Sequence, residues 1–275
     1  MLNGSASFRG SITDAALARR ALETARIVLF DLDGTLIRKD EPIEGAGELL
    51  AFHGERALIL SNNSSDTEEA MSHRLARIGL AVPPQRIFLA GTQAVRVAAA
   101  RWPGARVMLI ASAAIQACAE ASGLVPVSRG AEIVLVARAT AFDYAALALA
   151  ANAVRDGAFF LVANPDMAHP GPNGAIVPET GALAAAIAAA AGREPDLVIG
   201  KPQPSFFRAA LDRLGITPLE AVMVGDNPDT DGAGASRLGI PHVIVGATLP
   251  LRSLVASARE ETAICWPTVR YALSK

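Results

Sequence analysis

The sequence predicts an α/β protein: a doubly wound, mostly parallel sheet interrupted by an inserted α/β domain. Three observations predict it. Short apolar runs alternate with helical segments along most of the chain, as buried parallel strands joined by right-handed helical crossovers do. Certain runs end in polar residues of distinct chemistry: Asp31 and Asp33 after 27–30, Ser61 to Ser65 after 57–60, Lys201 after 197–200, and Asp226, Asp229 and Asp231 after 221–225. The second and third of these runs are separated by roughly 135 residues, far more than one crossover needs. The expected organisation is a core in two parts, 1–90 and 179–275, with an inserted α/β unit over 91–178.

The elements follow in order. Residues 13–25 read as a helix with Thr13 as its cap. Strands are expected at 27–31, 57–60, 86–89, 106–110, 132–136, 159–163, 197–200, 221–225 and 241–245. Helices are expected at 44–53, 66–78, 92–101, 112–121, 142–155, 180–191, 203–214, 229–238 and 250–261. The stretch 164–174, rich in Pro, Gly and Asn, reads as a loop close to the return to the core.

Composition narrows the function. The chain has 275 residues, 51% hydrophobic and 19% charged, enough for an ample core. A net charge of −2 gives no electrostatic reason to expect a nucleic acid or an anionic membrane as partner. A phosphate substrate would then need a local cation. Cys118 and Cys265 form no metal-spacing motif and read as reduced thiols. With no apolar signal segment at the N-terminus, the expected compartment is cytoplasmic. The alanine-rich runs near 145–154 and 181–192 are too short to cross a bilayer.

Ligands of open α/β sheets sit beyond the carboxyl ends of the strands. Acids, hydroxyls, amides and a lysine should therefore converge on one crevice, an inventory suited to magnesium-assisted attack on phosphorus. Asp31 and Asp33 repel each other unless a proton or cation intervenes. A hard divalent cation would resolve this, leaving one acid to attack and the other to shuttle a proton. An Asx-type turn is the alternative. Asp226 sits best for a metal, Asp231 could hold a metal-bound water or orient Lys201, and Asp229 serves equally well as a helix cap. Ser61 to Ser65 can bind phosphate oxygens or simply cap a helix. Lys201 can neutralise phosphoryl charge, or lie on the surface. Of the four histidines, His53, His73 and His242 read as structural, and His169 as a loop residue able to touch substrate.

Taken together, these elements resemble the haloacid dehalogenase (HAD) superfamily of phosphatases. Asp31-Leu32-Asp33-Gly34-Thr35 looks like its first motif, Ser61-Asn62 its second, Lys201 its third and Gly225-Asp226 through Asp231 its fourth. Ser61 to Ser65, Ala163-Asn164-Pro165-Asp166, Thr180 to Leu183 and Gly200-Lys201-Pro202 narrow the likeness to class IIA, with its NagD-like and 4-nitrophenylphosphatase-like enzymes. The resemblance covers about residues 27–246 and makes the insertion an α/β cap domain.

The resemblance implies the roles. Asp31 is the nucleophile, Asp33 the general acid then base with its carbonyl on Mg2+, and Asp226 a metal ligand supported by Asp231. Ser61 and the Asn62 backbone hold phosphoryl oxygens, and Lys201 pairs with nucleophile and phosphate. Arg138, Asn164, Asp166 and His169 become candidate cap contacts to the leaving group. Arg138 stands where relatives often carry an acid, which changes substrate choice or merely leaves it exposed. The expected activity is magnesium-dependent hydrolysis of a small phosphorylated metabolite through an aspartyl-phosphate. A silent phosphometabolite-binding protein and a phosphomutase are the alternatives, and similar enzymes form homodimers through the cap.

Overall fold

The structure is a computed structural model that describes residues 10–255. The chain begins with α1 (Ala15–Thr24), β1 (Ile27–Phe30), a small antiparallel ribbon of β2 (Ile37–Arg38) and β3 (Glu41–Pro42), and α2 (Ala46–His53). It continues with β4 (Ala57–Ser61), α3 (Glu68–Arg77), β5 (Ile87–Leu89) and α4 (Ala90–Arg101). Then come β6 (Arg106–Ile110), α5 (Ala113–Ala121), β7 (Val125–Pro126), β8 (Ile133–Val136), α6 (Tyr144–Arg155) and β9 (Phe159–Val162). A second ribbon, β10 (Ala168–Pro170) and β11 (Ile176–Pro178), leads to α7 (Thr180–Ala191) and β12 (Leu197–Val198). The chain closes with α8 (Pro204–Leu214), β13 (Ala221–Gly225), α9 (Ala233–Arg237) and β14 (His242–Ile244).

Two parallel five-stranded sheets result, in the orders β14-β13-β1-β4-β5 and β12-β9-β8-β6-β7. Burial on both faces explains why the strands read as unbroken apolar runs. Along β1, Ile27 and Leu29 enter one buried cluster while Val28 and Phe30 enter the other, the period-2 alternation of a pleated strand. The first of these clusters continues into the second sheet through Val107, Ile133, Leu135 and Leu161. The alanines of α4 (Ala90, Ala94 and Ala98) lie between, small enough for close packing. One buried cluster is thus shared by the two sheets, and each sheet has a further cluster on its other face.

Several expectations need correction. The run 197–200 is not a strand of the first sheet: Leu197 and Val198 pair with Leu161 and Val162 at the edge of the second. A local apolar pattern marks a strand but does not name its partner. The second sheet thus takes a strand from beyond 178, and we propose that the inserted unit ends near Gly200. The stretch 164–174 is not a plain loop, since it carries β10, paired with β11 through His169 and Val177. Its Pro, Gly and Asn content builds the turn between them, where Asn173 and Gly174 have positive φ. Asp14, not Thr13, caps α1 by accepting from the Leu17 N–H at 2.8 Å. Helix 229–238 is shortened to α9 by a wide turn over 228–232. The expected helix 250–261 is a single tight turn at Leu251–Leu254, and its part beyond 255 lies outside the described residues. No helix among the described residues is long and apolar enough to cross a membrane.

Candidate active site

β1 lies between β13 and β4, so the loops after these three strands meet. The Asp31 N–H extends the ladder by donating to the Val224 carbonyl at 2.8 Å, which fixes Asp31 beside the start of the Asp226 turn. Gly34, at φ +92°, passes so close to the Asp226 carboxylate that any Cβ there would collide with it. Gly225 makes the same room for Asp231. Glycine is needed at both points because the backbone must approach a carboxylate.

Carboxylate oxygens of Asp31, Asp226 and Asp231 all lie within 4.8 Å of one another. The Lys201 Nζ donates to Asp31 Oδ1 at 2.5 Å and to Asp231 Oδ1 at 2.7 Å. The lysine side chain is 3% exposed, so the surface reading fails. Burial works against the ammonium, but Asp231 and Asp31 outweigh it by charge and hydrogen bonds and hold Lys201 above its ordinary value. Burial pushes the Asp231 carboxyl up, against the pull of Lys201. Asp226 is raised by partial burial and then by Asp31. Asp33 is exposed to solvent but crowded by neighbouring protein. That crowding, and then the Asp31 carboxylate, raise it to about 6. This concentration of carboxylates around one buried ammonium suits a hard divalent cation, which prefers oxygen ligands. Asp229 is exposed, and the turn is capped by Asn227, whose Oδ1 accepts from the Asp229 N–H at 2.9 Å.

Ser61, 2% exposed, ends β4, and its Oγ accepts from the Asn63 N–H at 3.1 Å, leaving the hydroxyl proton to donate. Asn63 Oδ1 in turn accepts from the N–H groups of Ser65 and Asp66, shaping the loop. The Asn62 side chain does not face outward. Its Oδ1 accepts from the Lys201 N–H, and its Nδ2 donates to the Lys201 carbonyl and to Asp166. Gly200 has no room for a Cβ against Asn62 Oδ1.

The four cap candidates divide. Asn164 is a correction: at 1% exposure its amide donates to the Asn62 carbonyl, Ser64 Oγ and Thr180 Oγ1, so it holds the loop and is not placed to touch a leaving group. Asp166 is half-buried against Asn62, and burial raises its carboxyl despite that hydrogen bond. Arg138 and His169 meet at Glu179, at 3.2 Å from Nε and 2.6 Å from Nδ1. Sequence reasoning missed Glu179, and it named Thr35 only as the end of the first motif, with no role of its own. Thr35 Oγ1 donates to Asp31 Oδ2 at 3.1 Å and is fully buried. A hydroxyl four residues after a strand-end acid was the available signal. His73 is exposed on α3, and His53 and His242 are buried away from these groups.

Comparison with known proteins agrees with this arrangement. A family model for haloacid dehalogenase-like hydrolases matches residues 28–125, and a HAD-hydrolase-like model matches 198–264. The chain is 33% identical over 220 residues to the dihydroxyacetone phosphatase of Corynebacterium glutamicum, covering 79% of each protein. It superposes on the glycerol phosphate phosphatase of Mycobacterium tuberculosis in complex with magnesium. There the TM-score is 0.78 and the identity 29%, over 87% of this chain and 79% of that one. NagD from E. coli K-12 superposes with a TM-score of 0.74 at 27% identity, over 89% and 94%. The fold and site are those of a phosphatase with a Rossmann-like core and a cap domain. The chain belongs to the haloacid dehalogenase-like hydrolase family, in the class IIA branch of NagD-like and 4-nitrophenylphosphatase-type enzymes.

Proposed function

We propose that this protein hydrolyses a small phosphorylated metabolite in the cytoplasm, with magnesium, through an aspartyl-phosphate on Asp31. The observation that carries the reading is the buried Lys201 ammonium bridging Asp31 and Asp231, with Asp226 beside them. The fold and the named phosphatase relatives support it. Asp31, Asp226 and the Asp33 carbonyl would hold the metal, and Asp231 supports that shell while fixing Lys201. When bound, magnesium supplies positive charge to the carboxylates and to the phosphoryl oxygens.

The chain's own groups do the rest. Thr35 and Lys201 hold the two Asp31 oxygens, one each, and aim the carboxylate. An Asp31 oxygen bonds to phosphorus as the ester P–O bond breaks. Asp33 gives its proton to the departing alkoxide. The resulting Asp33 carboxylate takes a proton from water as that water attacks phosphorus, releasing inorganic phosphate and restoring Asp31. Ser61 and the Asn62 backbone N–H bind the phosphoryl oxygens, and Lys201 balances their charge.

A phosphate-ester panel that includes 4-nitrophenyl phosphate, run with magnesium and after chelation, tests this. Phosphate release that needs the metal is expected. A protein that binds the esters without turning them over would be the silent relative, and one that returns them isomerised would be a mutase.

A further inference from the structure

Glu179 joins two cap residues at the rim of the cleft. Its Oε1 stands 3.2 Å from Arg138 Nε and 2.6 Å from His169 Nδ1. The histidine contact requires a proton on Nδ1, because a carboxylate only accepts. Glu179 directly precedes α7, yet its side chain caps no helical N–H, so helix capping does not explain it. The cluster is tied to the phosphate-binding loop. The Arg138 N–H donates to Ser64 Oγ at 3.1 Å, and that hydroxyl meets Thr180 Oγ1 at 2.8 Å.

The charge balance of this wall is specific. The Arg138 guanidinium is already matched by Glu179, while the Asp166 carboxylate, among the described residues, accepts from the neutral amide of Asn62. The Arg74 guanidinium is engaged elsewhere, pairing with Asp40 at 2.7 Å. A second anionic group on a substrate would meet two carboxylates and have to displace Glu179 from Arg138. Hydroxyls meet no such barrier, since they can donate to the carboxylates and accept from the guanidinium.

From this geometry, and resting on the phosphomonoesterase reading above, we infer that Glu179 is a specificity-determining residue. By occupying Arg138 it selects phosphate monoesters of neutral, hydroxyl-bearing alcohols against esters that carry a second anion. Asp166 and the Glu179 carboxylate then face the hydroxyls of the leaving group, with Arg138 and His169 held in fixed positions beside them.

The test compares kcat/KM for glycerol 3-phosphate and phosphoglycolate in the intact protein and in Glu179→Gln. Wild type should favour glycerol 3-phosphate by ~10-fold or more, a modest effect for charges in a partly buried site. Glu179→Gln should move the ratio toward phosphoglycolate by at least ~10-fold, and adding Arg138→Ala should cancel that shift. The ratio is insensitive to a general loss of activity. Should Glu179→Gln not fold, Arg138→Ala alone suffices, because it leaves the acids unmatched and should push the ratio further toward glycerol 3-phosphate. A wild-type preference for phosphoglycolate, or a ratio unmoved by these substitutions, overturns the inference. Failure of wild type to hydrolyse 4-nitrophenyl phosphate would instead overturn the phosphatase reading beneath it.

Discussion

Asn62 holds Lys201 by both of its backbone polar groups. The Lys201 N–H donates to Asn62 Oδ1 at 2.7 Å, and Asn62 Nδ2 donates to the Lys201 carbonyl at 3.0 Å. One amide thus pins the peptide that carries the buried ammonium, and Asp166 accepts from the same Nδ2 at 3.1 Å. The Ser61–Ser65 loop, Asp166 and the buried Lys201 meet at this side chain.

Asn62→Ala should therefore damage catalysis through Lys201. Small displacements of a catalytic group cost up to ~10²-fold, and the loss should fall on kcat more than on KM. Steady-state kinetics check this, and a change confined to KM would return Asn62 to simple substrate binding. Two unsatisfied backbone groups should also lower stability, by about 1–3 kcal/mol for each.

Lys201→Met should slow turnover by ~10²–10³-fold, the scale for losing one electrostatic stabiliser. It should also destabilise the fold by about 3–5 kcal/mol, because Asp31 and Asp231 are left buried without their partner. Added magnesium should recover more melting temperature in this variant than in wild type. Equal recovery would show that lysine and metal do not share these carboxylates.

His53 provides a pH-dependent term away from the site. Burial, and then the Arg56 guanidinium 3.2 Å from Nδ1, lower its pKa from 6.5 to about 4. Above pH 6.5 the imidazole is neutral in both states. Between 6.5 and about 4 the unfolded chain takes up the proton and the folded one does not, so stability falls as pH falls through that window. The contribution is on the order of 1–2 kcal/mol. Urea unfolding of wild type and His53→Gln at pH 7 and pH 4.5 measures it. The variant should lose less stability over that interval, and equal losses would exclude His53 as the source.

The core of the site was legible because strand ends converge in a parallel sheet. Asp31, Ser61 and Asp226 each follow an apolar run, and that rule brought them together without knowledge of side chains. Lys201 was placed correctly for a partly wrong reason. Its strand belongs to the second sheet, and the lysine returns to the cleft through Ile199 and Gly200, whose N–H groups follow the β9 carbonyls. Asn164 was misread because Pro and Asn in sequence signal a turn but do not say which way the amide points. Glu179 was invisible because its partners, Arg138 and His169, lie on other segments, and no periodicity links the three.

Asp31→Asn should abolish turnover, since an amide is a poor nucleophile. Asp33→Asn should slow it by ~10²–10⁴-fold through lost proton transfer. The pair separates the attacking acid from the proton carrier, and retained activity in Asp31→Asn would place the nucleophile elsewhere.

Trapping the intermediate tests the central claim most directly. Asp33→Asn protein is mixed with 4-nitrophenyl phosphate and magnesium, quenched in acid, reduced with borohydride and digested for mass spectrometry. An aspartyl-phosphate is reduced to homoserine, and an ordinary aspartate is not. The account predicts homoserine where Asp31 stood, only when substrate was present. Substrate-dependent reduction at another carboxylate, or none at position 31 while phosphate is released, would contradict it.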